Sequence, residues 1–119
     1  MKTLAPLLVV LCLCCVTRAA ELGRTDWFRQ AKYGVFVHYL GGGADWNDKV
    51  NAFDVEKFIT QIVQSGAAYL VFTLGQNSGY YCSPNVTYEK YAGYEIGTRC
   101  SQRDLPMEIA DALAKKGIR

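Results

Sequence analysis

Residues 33–40, Tyr-Gly-Val-Phe-Val-His-Tyr-Leu, and residues 67–74, Ala-Ala-Tyr-Leu-Val-Phe-Thr-Leu, decide the fold. Each run is β-branched and aromatic, carries hardly a charge, and is followed at once by glycine, Gly41 in the first case and Gly75 in the second. Such a run reads as a strand buried on both faces, as in a parallel sheet, because a half-wet hairpin strand would alternate apolar with polar residues. Between the two runs, Val55, Phe58, Ile59, Ile62 and Val63 fall at the spacing of one helical face, while Glu56, Lys57 and Gln61 point elsewhere. Asp54 is the expected N-cap of that helix and Gly66 its C-cap. The unit is β-α-β.

Working outward, Thr25 or Asp26 caps a short helix over residues 27–32 ahead of the first strand. Gly41-Gly42-Gly43 opens a loop through Trp46, and a long polar and aromatic loop runs from Gln76 to Gln102. A second amphipathic helix follows, with Leu105, Ile109, Ala112 and Leu113 as its stripe and Pro106 in the first turn, where a missing N–H is harmless. Gly117 closes it, and Ile118-Arg119 begin a further strand. Strands alternating with helices imply either an open doubly wound sheet or a barrel. The expected class is α/β, with both plans open. A barrel takes about 250 residues, and two strands with two helices complete neither plan, so residues 21–119 are expected to be a truncated N-terminal part, poorly stable alone.

Residues 1–20 read as a secretory signal peptide: Lys2, an apolar run over residues 4–16, then Thr17-Arg18-Ala19-Ala20 as the cleavage region. The run is short of the roughly 20 residues that span a bilayer, so no membrane attachment is expected after cleavage. The product is expected to be secreted, extracellular or periplasmic. Cys12, Cys14 and Cys15 lack the small residues that a lipid-attachment site would place before them, and act as apolar members of the run. Of the 13 basic residues, Lys2 and Arg18 leave with the signal, which balances the 11 acidic ones. A neutral chain without a Lys/Arg cluster has no electrostatic footprint for nucleic acid, and an uncharged ligand is accommodated more easily. Cys82 and Cys100, the two remaining cysteines, are expected to form a disulfide; two free buried thiols are the alternative. Asn85-Val86-Thr87 fits the glycosylation acceptor pattern.

In parallel β/α proteins ligands sit at the C-terminal ends of the strands. His38, the single histidine, is therefore read as a hydrogen-bond partner of a sugar hydroxyl, against the alternative of a satisfied core residue. Trp46 and Tyr80 supply flat faces for the apolar side of a pyranose, and Gln76 and Asn77 offer paired donors and acceptors. No Cys-x-x-Cys, histidine pair or phosphate-binding glycine loop is present, and no metal site or cofactor is expected. Glycosidic cleavage needs two carboxylates, and nothing marks a pair among Asp45, Asp48 and Glu89, which read as solvated loop charge.

The order of these segments resembles the family 29 α-L-fucosidases from Trp27 to Arg119. The run from Trp27 to Tyr39 looks like that family's opening helix and first barrel strand; residues 53–58 and 66–71 are similar to its next helix and second strand; Arg103-Asp104-Leu105 and Lys116-Gly117-Ile118-Arg119 resemble the approach to the third. The resemblance implies a partial (β/α)8 TIM barrel, its first two to three β/α units, belonging to a secreted, retaining exo-glycosidase whose partner is carbohydrate, fucose or a similar sugar, with His38 matching a histidine that touches the sugar. It places the aspartate nucleophile and the acid/base on later strands. Where the family carries Thr-x-Lys-His-His-Asp-Gly after the second strand, this chain has Thr73-Leu74-Gly75-Gln76-Asn77-Ser78-Gly79. Two alternatives stay open: a catalytically inactive carbohydrate-binding barrel, and an unrelated secreted α/β domain, the latter expecting Cys82 far from Cys100 and His38 buried.

Overall fold

The computed structural model describes residues 24–119, so the signal-peptide expectation for residues 1–20 lies outside the described residues. The described part falls into two units, divided after Gln30. In the first, Thr25 starts helix α1 (Asp26–Gln30), where the Phe28 amide donates to the Thr25 carbonyl at 3.0 Å and Arg29 pairs with Asp26 at 3.5 Å.

The second unit holds β1 (Gly34–Val37), α2 (Trp46–Asn51), α3 (Val55–Ser65), β2 (Tyr69–Phe72), α4 (Val86–Ala92) and α5 (Leu105–Ala114). The strands pair in parallel, Gly34 opposite Tyr69 through Val37 opposite Phe72. The pairing extends past both ends: the Ala68 amide donates to Tyr33, and the Thr73 amide to Val37. Arg119 starts to pair beside β2: its amide donates to the Ala68 carbonyl at 3.3 Å and the Leu70 amide donates to the Arg119 carbonyl at 2.7 Å. Two paired strands and this start do not close a barrel.

Helix α3 forms as its sequence demands. Asp54 accepts a hydrogen bond from the Lys57 amide at 2.9 Å, and Gly66 ends the helix in the left-handed region at φ 75°. Ile59 and Ile62 are buried and Val55 and Phe58 pack on the same cluster, whereas Val63, expected in the stripe, is 43% exposed. Helix α5 is capped by Asp104 and buries Leu105, Ile109 and Leu113. Its end is a Schellman turn: the Ile118 amide reaches the Leu113 carbonyl, and Gly117 that of Ala114. Burying each of these leucines and isoleucines is worth roughly 1.5–3 kcal/mol.

Both helices cover one face of the sheet, the face of Val35, Leu70 and Phe72. The opposite face is bare: Phe36 and Val71, cross-strand partners, are 57% and 45% exposed. This overturns the expectation of strands buried on both sides. The sequence runs are apolar on both faces, but among the described residues helices are supplied to only one.

Two segments read as loop are helical. Trp46 opens α2, and the 76–102 loop contains α4, capped by Asn85 and ended by Gly93 at φ 76°. Arg103 ties α2 to α5: one guanidinium nitrogen donates to the carbonyls of Val50, Asn51 and Phe53 at 2.9–3.0 Å, and the rest of the fork grips Glu108.

Candidate functional site

At the C-terminal ends of the strands the backbone is locked by Thr73, whose hydroxyl accepts from the Tyr39 amide at 2.8 Å and donates to the Tyr39 carbonyl at 3.3 Å. Beyond it the three glycines let two aromatic rings approach the main chain. A β carbon on Gly41 would lie 2.4 Å from the Trp46 ring, and one on Gly42 would lie 2.6 Å from the Tyr80 ring. The glycine run is thus a seat for aromatic side chains.

Trp46 is 3% exposed, its indole N–H donates to the Tyr81 carbonyl at 2.8 Å, and its ring sits beside Tyr39. The Tyr81 segment then pairs with the Cys100 segment: the Tyr81 amide donates to the Arg99 carbonyl and the Ser101 amide to the Tyr81 carbonyl, each at 2.9 Å. That pairing brings Arg99 beside Tyr80. The Arg99 guanidinium carbon lies 4.4 Å from the Tyr80 ring centroid and 4.5 Å from that of Tyr94. Around this stack opens a cavity of about 520 Å³, lined by Ala44, Trp46, Asn47, Tyr80, Tyr94, Gly97, Thr98 and Arg99.

Glu89 holds the cavity's far wall. It is 1% exposed, and its two oxygens accept the amides of Gly97 at 2.8 Å, Arg99 at 2.7 Å and Cys100 at 2.8 Å. Burial pushes its carboxyl pKa up, but the amide hydrogen bonds outweigh that and leave it below the ordinary glutamate range. Glu89 is therefore a structural anion on α4, a correction to its reading as solvated loop charge. Asp45 is exposed and paired with Lys49 at 2.9 Å, and Asp48 lies on α2.

The expected site residues separate. Trp46 and Tyr80 reach the cavity, but Trp46 is mostly core and Tyr80 shares its ring with Arg99. His38 is exposed immediately after β1, with its ring 4.4 Å from Phe36 on the bare face of the sheet. Gln76 and Asn77 are exposed in a turn that the Gly79 amide closes onto the Gln76 carbonyl at 3.0 Å, away from the cavity lining. Asn47, Tyr94 and Arg99 were not singled out in the sequence. The only trace of Tyr94 and Arg99 there is an aromatic and polar loop, which the Tyr81–Cys100 pairing folds and Asn47 joins through Gly97 and Gln102.

The expected Cys82–Cys100 disulfide is corrected to two buried free thiols. Tyr81 is the residue paired with Cys100, so strand alternation sends Cys82 to the opposite side. The Cys82 thiol joins the core beside the Thr73 carbonyl at 3.5 Å, and the Cys100 thiol lies 3.8 Å from the Asn85 carbonyl. Asn85 is exposed, and its side-chain oxygen caps α4 through the Tyr88 amide at 2.9 Å. Among the described residues no group of three or more His, Cys, Asp or Glu is placed to hold a metal, and no helix is long and apolar enough to cross a membrane. No family model, curated protein or solved structure matches the chain.

Proposed function

We propose that this chain supplies the opening β/α units of a secreted glycoside hydrolase resembling the family 29 α-L-fucosidases, and that its own share of the work is to hold the sugar. The observation that carries the reading is the position of His38. It leaves the C-terminal end of a parallel strand, exposed and on the sheet face that the helices do not cover, where a (β/α)8 enzyme keeps its substrate. Parallel β1 and β2 side by side, the pairing of Arg119 with β2, and α3 and α5 on one face are consistent with a barrel's order.

A binding role without cleavage is the second reading, favoured by Gln76-Asn77 standing where the resembled family carries its two histidines. Glu89 is saturated by backbone amides, Asp54 and Asp104 cap helices, and Asp45 and Glu108 pair with Lys49 and Arg103. These five serve the fold, and the two carboxyl groups that a retaining mechanism needs about 5–5.5 Å apart would come from later strands. Titrating the protein with methyl α-L-fucoside while following the His38 ring signals tests sugar holding: saturable shifts that vanish in His38→Ala are expected, and a silent His38 would remove the reading. Hydrolysis of an aryl α-L-fucoside by the complete gene product separates enzyme from lectin.

A further inference from the structure

The cavity beside Arg99 has a chemistry that a neutral sugar does not need. The Arg99 guanidinium lies over the rings of both Tyr80 and Tyr94, and stacking on aromatic faces leaves the N–H donors at a guanidinium's edge open to an acceptor. Among the described residues none of the ion pairs involves Arg99, and none of the side-chain hydrogen bonds starts from its guanidinium. The carboxylate that bonds its backbone, Glu89, has both oxygens occupied by amides. Arg99 thus lines a cavity of ligand size as a fork without a counter-anion.

The other walls decide which anion. Asn47 is held by the backbone and carries no charge: its amide nitrogen donates to the Gly97 carbonyl at 3.0 Å, and its oxygen accepts the Gln102 amide at 2.9 Å. The Thr98 hydroxyl donates to the Glu95 carbonyl. Tyr80 and Tyr94 bring ring surface, and Arg99 is the one cation among the lining residues. A single planar fork matches a planar monoanion through two parallel hydrogen bonds, whereas a dianionic phosphate calls for several cations. We infer that this cavity takes the carboxylate of an acidic sugar, a hexuronate, with the tyrosines flanking the apolar side of its ring. The inference rests on the carbohydrate reading and narrows it to glycans that carry a uronate.

The test is a titration of the full chain with methyl β-D-glucuronide, with its neutral counterpart methyl β-D-glucoside, and with acetate, followed by NMR at the Trp46 indole and Arg99 Nε–H signals. The glucuronide is expected to shift both signals saturably, the glucoside to leave them in place, and acetate to bind more weakly than the glucuronide. Arg99→Gln should weaken the glucuronide about tenfold or more, and Arg99→Lys, which keeps the charge and loses the fork, should restore only part. Tyr94→Leu, which leaves the charge untouched, should also weaken it and covers the case in which Arg99→Gln fails to fold. Equal responses to the two glycosides, unaltered binding in folded Arg99 variants, or acetate as tight as the glucuronide would each overturn the inference. His38 reports separately: a fucoside response at His38 with a silent Arg99 removes this inference alone, and the converse removes the fucosidase-like reading alone.

Discussion

Replacing Glu89 removes the one acceptor that three amides share. In Glu89→Ala the N–H groups of Gly97, Arg99 and Cys100 lose a carboxylate at 2.7–2.8 Å. An unsatisfied buried donor costs roughly 1–3 kcal/mol. Only Cys100 of the three is fully buried, so water reaches the half-buried Gly97 and Arg99 in part. One full penalty and two partial ones give about 3–4 kcal/mol, which for a domain of this size is a fall in Tm of roughly 15–25 °C. Glu89→Gln is the sharper probe. Its amide oxygen can still serve Arg99 and Cys100, but its NH2 group meets the Gly97 N–H, so one bond and the charge are lost, about 2 kcal/mol. The pH dependence has a fixed sign. The folded-state pKa lies below the ordinary 4.5, so the stabilisation is fully present above that value and is lost as pH falls through the lower folded-state value. Thermal or urea melts of parent and Glu89→Gln from neutral to about pH 3 should therefore start apart and converge in acid. Coincident melts at neutral pH, or a gap that stays constant into acid, would refute the reasoning.

Two further outcomes follow from the same packing. Gly41→Ala drives a β carbon to 2.4 Å from the Trp46 ring and should cost about 1–3 kcal/mol by denaturation, with a change in tryptophan fluorescence; an unaltered melt would mean that the indole moves aside freely. Burial pushes the Cys82 thiol up from 9.0 to about 11, so at pH 8 its thiolate is about 100-fold scarcer than that of a free thiol. Iodoacetamide followed by peptide mapping should label Cys82 only after unfolding, and fast labelling of the native protein would contradict its place in the core.

The β-α-β unit could be read from the sequence because its signals are local. The stripe of α3, the caps at Asp54 and Gly66, and the turn at Gly117 each depend on residues within a few positions of one another. Helix α4 escaped the same reading because Val86-Thr87-Tyr88-Glu89-Lys90-Tyr91-Ala92 has no apolar stripe, and its one fully buried side chain is a charged glutamate. The two-sided burial expected of β1 and β2 failed at Phe36 and Val71, since an apolar run declares that a strand can be covered twice and not that two layers are at hand. The cavity was legible only in its first half. Trp46 and Tyr80 stand out as aromatic residues after strands, whereas Arg99 and Tyr94 acquire meaning through a bridge between Tyr81 and Cys100, residues far apart in the chain.

The grip of Arg103 on the carbonyls of Val50, Asn51 and Phe53 has a consequence for how the molecule breathes. A helix as short as α2 would ordinarily fray on its own, its amides exchanging with solvent at rates set by a single turn. Here its last carbonyls share one guanidinium with the first turn of α5, through Glu108, across more than 50 residues of chain. Opening one helix strips hydrogen bonds from the other. Residues 46–53 and 103–113 are therefore expected to open as one block, with deuterium entering both segments together in a hydrogen-exchange experiment.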